Sequence, residues 1–251
     1  MTSDEVQSAQ TRAPRLDGRR VVVLGGSSGI GFAVARLARQ EGADVAITGR
    51  DVTRLAAATE RVGAFASEAF DVADHAALEA FFDKVGAVDH AFVAAGAPYY
   101  ARLADMDVQE AVASVANAVG LMIGLARIVP ARLSSGGSMV FMSGTGPRRP
   151  APGMTVIAAM AAATTAAAAN LALEIAPARI NTIAAGFVDT ELSARLLGSG
   201  LDARRKELES TLPIGRVVQP EDVASLAVHL MGNTAVTGAV FDIDGGQQLV
   251  P

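Results

Sequence analysis

The residues with the clearest chemical meaning are glycines. Gly25-Gly26-Ser27-Ser28-Gly29-Ile30-Gly31 follows the apolar run Val21-Val22-Val23-Leu24 and precedes a helical pattern of Phe32, Val34, Ala35, Leu37 and Ala38. This order reads as a strand, a tight turn and a helix start. Such a turn sets free N–H groups and the positive end of a helix dipole against a pyrophosphate. Gly25 permits the turn, Gly29 admits the phosphates close to the backbone, and Gly31 lets the helix close on the sheet. The alternative is a glycine turn that holds no ligand. A second position discriminates between dinucleotides. The next apolar run ends Thr48-Gly49-Arg50-Asp51. A free ribose 2′-hydroxyl calls for a carboxylate at this strand end, and a 2′-phosphate calls for a cation. Arg50 therefore favours NADP(H), a solvated surface charge being the alternative. Asp51 is placed to cap the helix that follows.

Groups that could move a proton are scarce. Across 251 residues Tyr occurs only as Tyr99 and Tyr100, and Lys only as Lys84 and Lys206. The absence of Cys excludes thiolate nucleophiles, thiolate metal sites and disulfides, and it fits a cytoplasmic protein. His75, His90 and His229 are far apart with no metal-ligand spacing, so no metal is expected. A net charge of −5 argues against a nucleic-acid surface. A 51% hydrophobic content excludes disorder of the whole chain.

These groups must be positioned by an alternation of short and long apolar patterns. Strand-like runs occupy 20–24, 44–48, 66–70, 89–95, 138–143, 180–184 and 240–243. Helix-like patterns occupy 30–40, 52–61, 75–85, 108–133, 155–175 and 221–231. Near-continuous apolar strands separated by helices predict an α/β fold, a doubly wound parallel sheet covered on both faces. The expected organisation is a flexible N-terminal tail over 1–17 and one domain over 18–251. Within that domain the polar stretch 187–220 crosses the ligand edge as a substrate lid. No apolar stretch follows the polar residues 1–14, so no signal peptide is expected. The uncharged stretch 150–173 is long enough to span a bilayer, but its centre is mostly Ala with Thr164 and Thr165. That composition predicts a buried or interface helix and no membrane contact.

Taken in order, the motifs resemble the short-chain dehydrogenase/reductase family over essentially everything after the tail. Gly25, Gly29 and Gly31 match its glycine motif, with Leu24 where the family usually has Thr. Phe70-Asp71-Val72 matches the segment whose Asp contacts adenine. Val93-Ala94-Ala95-Gly96 stands at the Asn-Asn-Ala-Gly motif, with both Asn lost. Asn117 falls at the active-site Asn, and Ala185-Gly186-Phe187-Val188-Asp189-Thr190 matches the Pro-Gly segment. Leu212-Pro213-Ile214-Gly215-Arg216 and Asp242-Ile243-Asp244-Gly245-Gly246 match the segments around the last helix and strand. The resemblance implies a Rossmann fold and cofactor contacts from Gly25, Ser27, Ser28, Gly29, Ile30, Gly31, Arg50, Ala95, Gly96 and Gly186. It also places Asp71 and Val72 at the adenine, and Val188 and Thr190 at the nicotinamide carboxamide.

The family's proton relay uses a Tyr hydroxyl, a Lys four residues later, an upstream Ser and an Asn holding a water. Anchoring on Leu171-Ala172-Leu173-Glu174 puts the Tyr position at Ile157, the Lys position at Ala161 and the Ser position at Gly144. From Ala101 onward there is no Tyr, and the only Lys is Lys206, so the loss does not depend on register. No catalytic residue is assigned. Tyr99 or Tyr100 could supply a hydroxyl or simply line the pocket. Ser143 could face substrate or satisfy backbone, and Arg148 and Arg149 could bind an anion or be solvated. The leading reading is an NADP(H)-dependent oxidoreductase with a non-standard site and a small-molecule substrate. A catalytically silent NADP(H)-binding sensor or assembly subunit is the rival, and use of the fold without cofactor is a third. The apolar fourth and fifth helices suggest, by family resemblance, a homodimer or homotetramer.

Overall fold

The computed structural model describes residues 15–96 and 98–250. Ala97, which falls in the loop after the fourth strand, and most of the expected tail lie outside the described residues.

The first strand shows why the sheet is covered on both faces. In β1 (Arg20–Leu24), Val21 to Leu24 are all fully buried. Val21 and Val23 join a core with Val34 and Ala38 of α1 (Gly29–Gln40), Leu55 of α2 (Val52–Val62) and Val228 of α8 (Pro220–Gly232). Val22 and Leu24 join the opposite core with Phe81 of α3 (His75–Val85), Leu125 of α4 (Val108–Ile128) and Ala168 of α5 (Thr155–Glu174). Alternate side chains thus feed two separate cores, as a period of two dictates.

The remaining strands are β2 (Asp44–Gly49), β3 (Ala66–Ala69), β4 (Val88–Val93), β5 (Leu133–Gly144), β6 (Arg179–Ala185) and β7 (Val240–Ile243). The sheet is entirely parallel in the order β3-β2-β1-β4-β5-β6-β7. The order reverses between β1 and β4, which creates the crevice where doubly wound proteins hold ligands.

Several boundaries differ from expectation. The fourth helix ends at Ile128 rather than near Leu133 because Pro130 opens a 3-10 turn, Pro130–Arg132. The fifth strand starts at Leu133, earlier than the apolar run suggests, because Leu133 pairs with Val88 of β4 and Ser134 to Gly137, without apolar side chains, fill the irregularity before the ladder resumes at Ser138. The fourth strand stops at Val93, leaving Ala94 and Ala95 in the loop. Leu16, assigned to the tail, is 1% exposed and its N–H donates to Glu41 O at 2.9 Å, so the domain reaches back at least to Arg15. The excursion 187–220 contains two helices, α6 (Glu191–Leu197) and α7 (Leu201–Thr211), and a small core of Leu208, Leu212 and Val217 against Phe187.

Two buried polar residues fix the end of the sheet away from the ligand edge. Arg179 is 5% exposed and donates to the carbonyls of Leu230, Met231 and Asn233 at 3.0, 2.7 and 2.9 Å. It thereby satisfies the carbonyls that the C-terminus of α8 leaves open, with a charge of favourable sign for the dipole. His90 is 6% exposed and its Nδ1 lies 2.9 Å from Ser138 Oγ. Burial penalises the imidazolium and brings its pKa from 6.5 to about 4. A depressed folded-state value means that the unfolded chain binds the proton first. The neutral-His90 contribution is therefore complete above about pH 6.5 and is lost as pH falls toward 4, amounting to about 3 kcal/mol. Denaturant unfolding across this range should show that wild type loses stability more steeply than His90→Gln; parallel curves would refute the assignment.

Candidate functional site

The crevice between β1 and β4 is built by close backbone contact. Gly25 has φ of +86°, and a Cβ there would lie 2.9 Å from Ala95 N and 3.0 Å from the Ala94 carbonyl carbon. A Cβ on Gly31 would lie 2.1 Å from Gly25 O, so α1 rests directly on the turn. From the β2 side, Gly26 N donates to Thr48 O at 2.9 Å and Gly25 N to Thr48 Oγ1 at 3.4 Å. The turn is thus clamped by backbone on both flanks.

The helix end it presents is open. Helices α2, α3 and α4 are capped by the carboxylates of Asp51, Asp74 and Asp107, whereas Ser28 at the N-cap of α1 makes no side-chain capping bond. The first turn of α1 carries no acidic residue. Uncapped N–H groups and an unopposed dipole are what a pyrophosphate requires, so the residues fit a dinucleotide.

At the end of β2, Thr48 is buried and Asp51 is committed to its cap, accepting from Arg54 N at 2.9 Å. Arg50 is exposed there, and its side chain makes no hydrogen bond or ion pair with a described residue. Asp71 and Val72 follow β3; Asp71 is exposed and its Oδ1 accepts from Ala73 N at 3.0 Å. Ala95 and Gly96 follow β4 at the same edge.

The segment after β6 approaches from the other side of the crevice. A Cβ on Gly186 would lie 2.5 Å from Gln247 Oε1, which accepts from Phe187 N at 3.0 Å. Gln247 is a supporting residue that local pattern does not reveal, since its partner is 60 positions away. Val188 is 6% exposed and forms a parallel bridge with Val218. Thr190 caps α6 by accepting from Ser193 N at 3.1 Å, and its Cγ2 would sit 3.6 Å from a Cβ on Gly29. The glycine turn and the Val188–Thr190 segment therefore meet across the crevice, as expected of residues serving one ligand.

Helix α5 carries the positions at which the resemblance places the family's Tyr and Lys. Ile157 is half-buried and Ala161 is 4% exposed, one turn apart on α5. Ser143 turns toward that helix, with Oγ 3.5 Å from Ala161 O and 3.4 Å from Thr164 Oγ1. Thr164 in turn donates to Met160 O at 2.9 Å. Asn117 is exposed on α4. The Tyr99 hydroxyl accepts from Asp107 N at 2.9 Å, which ties it to the start of α4. Tyr100 is 46% exposed, and partial burial pushes its hydroxyl pKa upward, which makes it a weaker acid. Arg148 pairs with Asp242.

A family profile described as Enoyl-(Acyl carrier protein) reductase matches residues 25–248. The chain is 30% identical to a short-chain dehydrogenase/reductase of Stachybotrys chlorohalonatus, over 93% of this chain and 98% of that one. The chain belongs to the short-chain dehydrogenase/reductase family. Among solved members, it superposes on a small-chain dehydrogenase in complex with NADPH at a TM-score of 0.80 and 30% identity, covering 93% and 100% of the two chains. It also superposes on the MalC reductase/Diels-Alderase of Malbranchea aurantiaca at 0.85 and 25% identity, covering 94% and 99%. In this family member the crevice tolerates no added atom at Gly31. Gly31→Ala should destabilise the fold by about 2 kcal/mol and abolish dinucleotide binding, read by thermal unfolding and calorimetry. Unchanged binding would refute the close approach.

Proposed function

We propose that this chain binds NADP(H) and acts as an oxidoreductase without the family's Ser-Tyr-Lys set. The observation carrying the cofactor choice is Arg50, exposed at the end of β2 without a hydrogen bond or ion pair to a described residue, beside an Asp51 that caps α2. The NADPH-bound neighbour supports the same reading. In it, Gly25 to Gly31 and the open end of α1 hold the pyrophosphate, and Arg50 pairs with the 2′-phosphate. Asp71 and Val72 border the adenine with Ala95 and Gly96 beside them, and Gly186, Val188 and Thr190 hold the nicotinamide end.

Bound NADP(H) supplies or accepts a hydride. The chain's own contribution is positioning and exclusion of water by an apolar wall, effects that operate without proton transfer. Ile157 and Ala161 can neither give nor take a proton, and the Ser143 hydroxyl is turned into α5. The small-molecule substrates suited to such a wall need little acid assistance, such as an iminium ion or a conjugated alkene. Any proton required comes from water or Tyr100. The Malbranchea aurantiaca relative, a reductase/Diels-Alderase, illustrates a fold neighbour whose chemistry extends past carbonyl reduction. The same lack of acid groups favours a second reading, a silent NADP(H)-binding sensor or assembly subunit.

We further place the protein in the cytoplasm as a homodimer or homotetramer. Helix α4 exposes Val108, Val112 and Ile123, at 68%, 64% and 46%, and α5 exposes Leu173 at 81%. Both helices are long and apolar enough to cross a membrane, yet each packs on the other and contributes to the core beneath the sheet. A second copy would cover what the chain leaves bare. Sedimentation at micromolar concentration should show a dimer or tetramer, and a monomer would refute it.

Arg50→Ala should weaken NADPH about tenfold to a hundredfold and leave NADH nearly unchanged, by calorimetry. Equal effects would remove Arg50 from the 2′-phosphate. Turnover of at least one iminium or enone in a carbonyl, imine and enone panel supports the enzyme; tight binding with no turnover supports the sensor.

A further inference from the structure

The segment that meets Gly29 across the crevice is held by a residue outside every motif quoted above. Arg205 on α7 grips Asp189 with two hydrogen bonds, Nε to Oδ2 and the second guanidinium nitrogen to Oδ1, both at 2.8 Å. Its remaining nitrogen reaches Asp202 Oδ1 at 3.1 Å. Asp189 lies between Val188 and Thr190, and its own N–H donates to Val218 O at 3.0 Å. The Arg205 and Asp189 side chains are 37% and 18% exposed, so this planar, two-point pair is partly shielded from solvent. One turn further along α7, Leu208 is 2% exposed in the small core with Phe187. Helix α7 is thus fixed by a charge pair and by an apolar anchor.

Helix α6, between them, is held much less. It has no fully buried residue and exposes Leu192, Leu196 and Leu197. It ends at Gly198, which has φ of +50°, and Gly200 follows. Its contact with α2 is the exposed pair Glu191–Arg54 at 4.0 Å. The lid therefore divides into a clamped base and a lightly packed helix, which joins that base at its first turn, where Ser193 Oγ donates to Val188 O at 2.6 Å.

We propose that Arg205 is a positioning residue that holds the Val188–Thr190 segment in its ligand-ready conformation through Asp189. This rests on the reading that Val188 and Thr190 serve the nicotinamide end. The clamp acts on one end of the ligand only, because Arg50 and the open end of α1 belong to other elements. Losing the clamp leaves the adenosine end intact and makes the nicotinamide end order its own contacts on binding.

The test compares NADPH with adenosine 2′,5′-bisphosphate, which lacks the nicotinamide end, by calorimetry on the full chain. Arg205→Ala should weaken NADPH about tenfold and leave the bisphosphate unchanged. Asp189→Asn should do the same, Arg205→Lys should fall between, and Asp202→Asn should resemble wild type. Amide exchange of residues 188–190 should accelerate in Arg205→Ala. An Arg205→Ala or Asp189→Asn variant that binds NADPH as wild type does, or that loses both ligands equally, overturns the clamp. If wild type binds neither ligand, the cofactor reading itself fails, and unchanged exchange at 188–190 in Arg205→Ala then overturns the clamp as well.

Discussion

The distance between α1 and the turn that precedes it governs the rest of the molecule. At Gly31 the helix touches Gly25 O so closely that one methyl group does not fit, and at Gly25 the turn touches the backbone of Ala94 and Ala95. These contacts fix α1 against both β1 and the end of β4, so the crevice at the switch point has a set width. They also explain the small residues around it. Large side chains would hold the backbone away from the place where its N–H groups act. The two cores then follow from which face each helix covers, and α8 locks the first of them by packing along α1.

The ligand edge has two sides, the open helix end at the glycine turn and the α5 positions Ile157 and Ala161. On the first side, carboxylates that could compete are already committed to helix caps, and the one uncapped N-terminus there faces the crevice. On the second side, every hydroxyl with a family precedent is either absent or bonded to backbone. Ser143 and Thr164 satisfy carbonyls of α5, and Tyr99 is tied to Asp107. Residues that would have been costly to bury without partners have found partners within the structure.

The parallel sheet was legible because strands buried on both faces read as unbroken apolar runs, as in Val21 to Leu24. The glycine turn and the scarcity of Tyr and Lys were legible because they depend on residue identity alone. Boundaries set by sheet geometry were not. Ser134 to Gly137 extend β5 with no apolar side chain to announce it, and Leu16 sits beside polar residues although its side chain is buried. Long-range polar partners were hidden for the same reason. Arg179 and Arg205 look like ordinary surface cations in sequence, and only the fold shows that one closes the end of α8 and the other grips Asp189. Gln247 carries no local signal at all.

One consequence concerns light rather than chemistry. The chain has no Trp, and both tyrosines lie in the loop after β4, at the rim of the crevice. Its tyrosine emission therefore originates entirely from that rim, the 9 Phe emitting only weakly. In most proteins intrinsic fluorescence averages over the whole fold; here it reports on a single loop, with Tyr99 bound to the start of α4 and Tyr100 facing solvent beside it. The scarcity of Tyr and Trp leaves the protein with a built-in optical probe of that rim.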